Sequence, residues 1–207
     1  MISEVFSSME KSKKEKVLNI VFIILEMIGF IISYLMFGRY SPEYYTEDAN
    51  LFSLIVCIMY LCYLCNNIKI PRWLEVLRLS SIICLVLTFI IVIVVLLPTS
   101  DVQFMFGGAN LFFHLLCPVF LLFLYLYIDK KTKLNSMEIL YACMPTIIYG
   151  IIMAILNILK TYNGPYPFLK IYEQSFAVSL LWEAGILCLA YFIGYFLNKW
   201  RKKAKLK

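Results

Sequence analysis

Six long apolar stretches alternate with short polar segments along the chain. A helix of about 20 residues crosses the hydrocarbon layer of a bilayer, and each stretch approaches or exceeds that length. In chain order they are residues 17–37, 49–65, 77–97, 109–128, 138–159 and 175–197. The pattern predicts an all-α fold, a polytopic membrane protein with six transmembrane helices. The polar segments are too short to bury a core, so we expect a single transmembrane domain over residues 1–207.

The composition agrees with a chain that is solvated by lipid. Hydrophobic residues make up 62% of the chain and charged residues only 15%, whereas about a quarter of a soluble protein is charged. The first stretch contains Glu26 and lacks a small-residue cleavage pattern, so we expect it to stay as a helix and not to be a removable signal peptide. The seven cysteines all fall within predicted spans, where packing is a more common role than a disulfide framework.

The basic residues predict the orientation of the helices. Of 19 Lys and Arg residues, only Arg39, Lys160 and Lys170 fall on one predicted side. The others are Lys11, Lys13, Lys14, Lys16, Lys69, Arg72, Arg78, Lys130, Lys131, Lys133, Lys199, Arg201, Lys202, Lys203, Lys205 and Lys207. Short cytoplasmic loops retain positive charge, so we expect both termini in the cytoplasm and the protein in the cell membrane. The net charge of +6 then reflects contact with anionic headgroups of the lipid bilayer, and no nucleic acid is implied.

Three acidic or basic residues lie away from the ends of the predicted spans: Glu26, His114 and Glu183. Such a side chain near a helix centre costs about 2.5–3.5 kcal/mol on insertion scales, which makes each a candidate for function. At 1.5 Å per residue, His114 lies roughly 8 Å and Glu183 roughly 12 Å below the outer surface, with Glu26 near the midplane. Each of the three can instead serve only to pair neighbouring helices. The chain has one histidine with no carboxylate three or four residues away, so no metal site is expected.

Residues 107–118, "GGANLFFHLLCP", set His114 in an unusual local pattern. Pro118 lacks an amide hydrogen, so in an α-helix the His114 carbonyl loses its partner. Asn110, four residues earlier, falls on the same helical face as His114. Irregular backbone at membrane depth is tolerated only when it is buried in protein or lines a water-filled cavity. The pattern therefore predicts a kink at His114 and a small polar cavity open toward the outer leaflet.

A histidine that binds no metal most often acts as a general base, which requires a nucleophile within its reach. Thr46 is the candidate, in "YYTEDANLF" (44–52) at the outer mouth of the second helix, with Asn50 one turn further in. A threonine followed by Glu47 and Asp48 is also typical of a helix N-cap, and the residues by themselves favour that interpretation.

Three short motifs together resemble a known family. They are Tyr45-Thr46 with Asn50, His114 with Pro118, and Tyr166-Pro167-Phe168-Leu169. The combination resembles the androgen-induced six-span membrane hydrolases and their prokaryotic relatives. The resemblance implies an intramembrane hydrolase of fatty acid or lipid esters that needs no cofactor. It further implies that Thr46 is the nucleophile and His114 the general base.

The remaining polar groups suggest supporting roles in that chemistry. Ester attack creates an oxyanion, which the side-chain amide of Asn50 or Asn110, or backbone donors at the helix mouth, can stabilise. We also expect Glu183 to orient the His114 imidazole, as the third group of a triad does.

The tetrapeptide "ANLF" occurs at 49–52 and again at 109–112, at the outer start of two helices that run in the same direction. If both copies lie at equal depth, Thr46 is roughly 12 Å above His114 by helical rise, whereas a hydrogen bond needs about 3 Å. The dyad therefore requires the second helix to sit deeper than the fourth. A chance match is an adequate explanation for so short a repeat.

Two further interpretations stay open. The loop "TYNGPYPFLKIY" (161–172) is either an aromatic belt at headgroup level or a cover over the cavity, and the two are compatible. As for function, Glu26, His114 and Glu183 are also candidates for the relay of a proton-coupled transporter. Cys117 is a candidate acyl carrier in a lipid acyltransferase of related fold.

Overall fold

The computed structural model describes residues 2–129 and 133–203, and throughout these residues the regular structure is helical. The helices are α1 (Ile2–Phe37), α2 (Tyr45–Cys65), α3 (Arg72–Ile91), α4 (Val102–Phe106), α5 (Ala109–Ile128), α6 (Ser136–Ala142), α7 (Met144–Ile158) and α8 (Phe176–Lys203). Helix α3 continues as a π turn and a 3-10 turn to Thr99. The predicted all-α fold is confirmed.

Five segments are long and apolar enough to cross a membrane, and they contain α1, α2, α3, α5 and α8. Helices α6 and α7 qualify together as a sixth, broken span, with a bend of 43° between them. Large apolar side chains point outward along these helices, among them Leu35, Leu181 and Phe176, as expected where lipid covers the surface. The structure thus agrees with the predicted multi-pass membrane protein.

Helix α3 is the central element of the bundle. Its residues Leu79, Ile82, Ile83 and Leu85 are fully buried, and it contacts α2, α5, α6 and α8. An apolar helix that is covered on all sides is a core helix of the bundle. The other helices surround it.

The bundle has two ends, named here by the residues at which α2 and α3 begin: the Tyr45 end and the Arg72 end. At the Arg72 end, Arg72 Nη2 donates to Lys133 O at 2.6 Å, and Asn198 Nδ2 near the end of α8 donates to Leu134 O at 2.9 Å. Lys16 Nζ in the first half of α1 donates to Asn67 Oδ1, between α2 and α3, at 3.4 Å. The first half of α1 and the end of α8 therefore share the Arg72 end. The assignment of this end to the cytoplasm stays a prediction from charge, and Lys130, Lys131, Lys205 and Lys207 lie outside the described residues.

Arg78, which the charge pattern grouped with the loop cations, is instead buried inside the bundle. Only 1% of its surface is exposed, and its guanidinium donates to Asp129 Oδ2 at 2.8 Å and to Asn19 Oδ1 at 2.9 Å. It also lies 4.8 Å above the centre of the Tyr60 ring, and the Tyr60 hydroxyl donates to Glu15 Oε1 at 3.1 Å. We call Arg78, Asp129, Asn19, Tyr60 and Glu15 the Arg78 cluster; it ties α1, α2, α3 and the residue after α5 together.

Candidate functional site

Thr46 lies in the first turn of α2 and does not cap it. The helix begins at Tyr45, four residues before the predicted span, and its N-cap residue is Tyr44, whose side chain forms no capping hydrogen bond. The interpretation of Thr46 as a helix cap is therefore wrong. Its side chain is available for another role at the N-terminal, electropositive end of the helix.

Two carboxyl groups fix the position of this first turn. Glu47 Oε1 accepts from Ser33 Oγ on α1 at 3.0 Å, and Glu47 Oε2 accepts from the Ser41 N–H at 2.8 Å. The Tyr40 hydroxyl donates to Asp48. The loop between α1 and α2 is thus tied to the acidic residues that follow Thr46, which holds Thr46 in place.

Thr46 lines a cavity of about 50 Å³ at the Tyr45 end. Leu87, Ile91, Val92 and Ile186 supply part of its apolar wall. The polar residues that line it are Tyr45, Thr46, Thr88, Thr146, Tyr149, Tyr166 and Glu183. A buried water needs about 10–15 Å³ of such volume and several polar partners, so this space suits a few water molecules. Neither Asn110 nor His114 is among the described residues that line it, so the predicted polar cavity on the face of His114 stays a prediction.

The loop after α7 covers this cavity with Tyr166, Phe168 and Leu169. All three side chains are buried, and the Tyr166 and Phe168 rings stack with centroids 5.2 Å apart. Burial raises the pKa of the Tyr166 phenol to about 12, although hydrogen bonding from the hydroxyl and the backbone N–H of Thr46 acts in the opposite direction. Tyr166 is therefore protonated at neutral pH and lies beside the predicted nucleophile. The loop thus covers a cavity, and its predicted role in admitting an acyl chain stays a prediction.

Most other hydroxyl groups of the cavity already have partners. The Tyr45 hydroxyl and Thr146 Oγ1 share a hydrogen bond of 2.7 Å. Thr88 Oγ1 donates to Cys84 O at 3.0 Å, and the Tyr149 hydroxyl donates to Glu43 O at 2.8 Å. The remaining polar side chains of the cavity are Thr46 and Tyr166, which interact with each other, and Glu183.

His114 lies in a π turn, Phe112–Leu116, within α5. The predicted irregularity of the helix occurs at His114, but the hydrogen-bond register there differs from the prediction. The Cys117 N–H donates to Phe112 O, five residues back, and Pro118 has no N–H to give to Phe113 O in the same register. The carbonyl left without a backbone donor is thus that of Phe113, one residue before the predicted position. Helix α5 has a second π turn at Leu124–Ile128, and π turns within α-helices are frequent at functional sites.

Asn50 supplies that missing donor and connects α2 to α5. Its Nδ2 lies 2.7 Å from Thr46 O and 3.4 Å from Phe113 O. Asn50 therefore lies at the depth of Phe113. If the two "ANLF" copies lay at equal depth, Asn50 would lie at the depth of Asn110, so α2 sits about three residues deeper than that alignment predicts. The offset between the Thr46 and His114 backbone positions along the helix axis is then roughly 7.5 Å instead of roughly 12 Å, at 1.5 Å per residue. Both residues are buried.

The other polar residues that the sequence pointed to lie in different parts of the structure. Asn50 and Asn110 do not line the cavity, whereas Glu183 does. Glu26 is completely buried on α1 beside Cys117, and neither of its carboxyl oxygens has a hydrogen-bond partner among the described residues.

A larger groove of about 840 Å³ lies beside the cavity, between α2 and α7. Tyr45 and Tyr149 line both spaces, and their rings pack edge to face with centroids 5.0 Å apart. The groove is lined mainly by apolar side chains, among them Phe52 and Ile152, while Arg39 stands at its polar rim. This arrangement can hold an apolar chain next to the cavity.

The residues from α7 that line the cavity are absent from the predicted site. Thr146, Tyr149 and Gly150 line it from one side of this helix. Their spacing of three to four residues places them on one helical face, which was the available signal. That signal is weak, since each residue type is ordinary in a membrane helix.

Compared with known protein families, curated proteins and solved structures, the chain matches none of them. The resemblance that the three motifs carry therefore stays an expectation. The function of the chain has to be argued from the geometry of the cavity, the groove and the π turn.

Proposed function

We propose that the protein is an intramembrane hydrolase that cleaves a fatty acid or lipid ester, with Thr46 as the nucleophile and His114 as the general base. The observation that carries this proposal is the position of the Thr46 side chain. It lines a small cavity at the N-terminus of α2, against a buried tyrosine and beside an apolar groove.

The first chemical step needs a base for the Thr46 proton. A threonine hydroxyl is inert at neutral pH unless a base removes its proton as it attacks. His114 is the only histidine of the chain, and Asn50 joins the Thr46 carbonyl to the carbonyl that directly precedes His114. In the proposed step the imidazole takes the proton while Thr46 Oγ attacks the ester carbonyl, and it then passes the proton to the leaving alcohol.

The Tyr166 phenol, which lies beside Thr46, is the proposed donor to the developing oxyanion. Thr46 lies in the first turn of α2, and the N-terminal end of a helix favours negative charge. By contrast, the Asn50 side-chain amide is directed at two backbone carbonyls. Tyr166 thus replaces Asn50 and Asn110 as the proposed oxyanion donor.

The groove between α2 and α7 is the proposed seat of an acyl chain. Its wall is mostly apolar, and it adjoins the cavity at Tyr45 and Tyr149. An ester whose chain lies in this groove reaches the Thr46 cavity without leaving the bilayer. With the orientation that the basic residues predict, the substrate comes from the outer leaflet.

A fluorophosphonate probe tests this proposal, because it phosphonylates an activated hydroxyl nucleophile. Membranes that contain the wild-type chain, Thr46→Ala, His114→Ala or Thr99→Ala are treated with the probe. The Thr99 hydroxyl, near the end of the third span, donates to Leu96 O and is exposed, so it serves as the matched threonine control.

We expect labelling of the wild type and of Thr99→Ala, no labelling of Thr46→Ala and strongly reduced labelling of His114→Ala. Mass spectrometry should locate the adduct on the peptide that contains Thr46. Equal labelling of all four proteins, or none of the wild type, would overturn the proposal.

A further inference from the structure

Glu183 brings a carboxyl group into the Thr46 cavity. It lies on α8, is half-buried, and its side chain packs against Gly150 of α7. A Cβ atom at Gly150 would approach Glu183 Oε2 to 2.9 Å. The carboxyl group therefore occupies space that any larger residue at position 150 would contest.

Glu183 also differs from the other polar groups of the cavity. Within the described part of the chain, no residue donates a hydrogen bond to its carboxyl group, and no other carboxyl group lines this cavity. A carboxylate offers acceptor sites only. The hydroxyls of Tyr45, Thr88 and Tyr149 are engaged elsewhere. The donor that fits both the space of about 50 Å³ and the free acceptor is water.

We infer that Glu183 is the general base of the second half of the reaction, in which water hydrolyses the acyl ester of Thr46. This inference rests on the proposed function. His114 acts on the Thr46 proton from outside the cavity lining, whereas Glu183 faces the space in which the acyl carbon and the water meet. Two half-reactions with two bases follow from these positions.

The step balances in atoms and protons. The acyl carbon starts bonded to Thr46 Oγ, after the alcohol has left. Glu183 takes a proton from water while the water oxygen bonds to the acyl carbon. The tetrahedral intermediate then collapses, the bond to Thr46 Oγ breaks, and the proton on Glu183 passes to that oxygen. The products are a fatty acid and the free Thr46 hydroxyl, and Glu183 is again a carboxylate.

The experiment separates the two half-reactions in Glu183→Gln. Its matched control is Glu173→Gln, which alters an exposed loop carboxylate that pairs with Lys170. Fluorophosphonate labelling and the burst of nitrophenol from a p-nitrophenyl fatty ester report the first half. Steady-state turnover and intact-protein mass report the second.

For Glu183→Gln we expect unchanged labelling, a full burst of one nitrophenol per protein, and a steady-state turnover about 10²–10⁴-fold lower. Mass spectrometry should show an acyl adduct on Thr46. Glu173→Gln should behave as the wild type. Turnover within tenfold of wild type without an adduct would overturn the inference, as would loss of labelling together with turnover. If the wild type itself is not labelled, the proposed function fails and this inference fails with it.

A second variant keeps the test valid if Glu183→Gln does not accumulate. Gly150→Ala pushes the Glu183 carboxyl aside, and the displaced atom is the end of a flexible side chain. It should retain labelling and show slower turnover with a detectable adduct. Gly185→Ala, where an added Cβ has no neighbour within 4 Å, is its control and should turn over normally. Equal turnover in the two alanine variants would overturn the inference.

Discussion

Buried polar groups are arranged differently at the two ends of the bundle. In the Arg78 cluster at the Arg72 end, the guanidinium is nearly inaccessible and donates to Asp129 and Asn19 while it stacks on Tyr60. At the Tyr45 end, Thr46 and Glu183 line a cavity with room for water. Closed, densely hydrogen-bonded networks rigidify a core, whereas a carboxyl group and a hydroxyl beside open space can react. The first region should therefore control stability and the second chemistry.

The largest expected effect comes from opening the Arg78 cluster. Asp129→Leu leaves the Arg78 charge buried without its main partner, which should lower the free energy of unfolding by about 3–5 kcal/mol. Thermal unfolding in detergent measures this loss. The double variant Arg78→Met with Asp129→Leu removes both charges and should recover most of the stability. If the double variant is as unstable as the single one, the cluster does not act through charge pairing.

At the other end, Tyr166→Phe should affect chemistry far more than stability. Removal of one oxyanion donor typically lowers kcat by about 10²–10³-fold, while the phenyl ring keeps the stacking on Phe168. Steady-state hydrolysis of the p-nitrophenyl ester and thermal unfolding, measured on the same preparation, separate the two effects. A variant that unfolds early but hydrolyses normally would reverse the contrast between the two ends.

Gly29 on α1 lies where the two regions meet. A Cβ there would come within 2.7 Å of the buried Phe113 ring and 3.0 Å of Phe112 Cβ, so α1 packs closely on the π turn that carries His114. We expect Gly29→Ala to cost about 1–3 kcal/mol of stability through overpacking. It should also reduce probe labelling, because the π turn shifts. Unchanged labelling despite the loss of stability would show that the position of His114 tolerates such a shift.

The smallest effect is expected for Arg72→Gln, at the same end as the Arg78 cluster but at the surface. Arg72 pairs with Glu138 at 2.5 Å, yet its side chain is 44% exposed, and solvent-exposed ion pairs contribute about 0–1 kcal/mol. Thermal unfolding beside Asp129→Leu makes the comparison direct. A loss as large as that of Asp129→Leu would mean that burial does not distinguish the two ion pairs.

The spans could be predicted from the sequence because length and apolarity decide whether a helix crosses a bilayer, and the irregularity at His114 could be predicted from Pro118 alone. The exact start of α2 could not, since a tyrosine and a threonine suit a first turn as well as a loop. The partners of Arg78 could not be predicted either, because Asp129 is 51 residues away and only packing brings the two together. For the same reason the contact between Thr46 and Tyr166 was not visible in their separate motifs.

The bend at Cys143 has a mechanical consequence for the groove. Before the bend, Ser80 Oγ of α3 donates to Ala142 O at 2.7 Å and fixes α6 to the central helix. After it, α7 carries Tyr149 and Ile152, which form one wall of the groove. A small rotation about this break would move that wall relative to α2. Such a rotation would change the width of the groove without moving α6 away from α3.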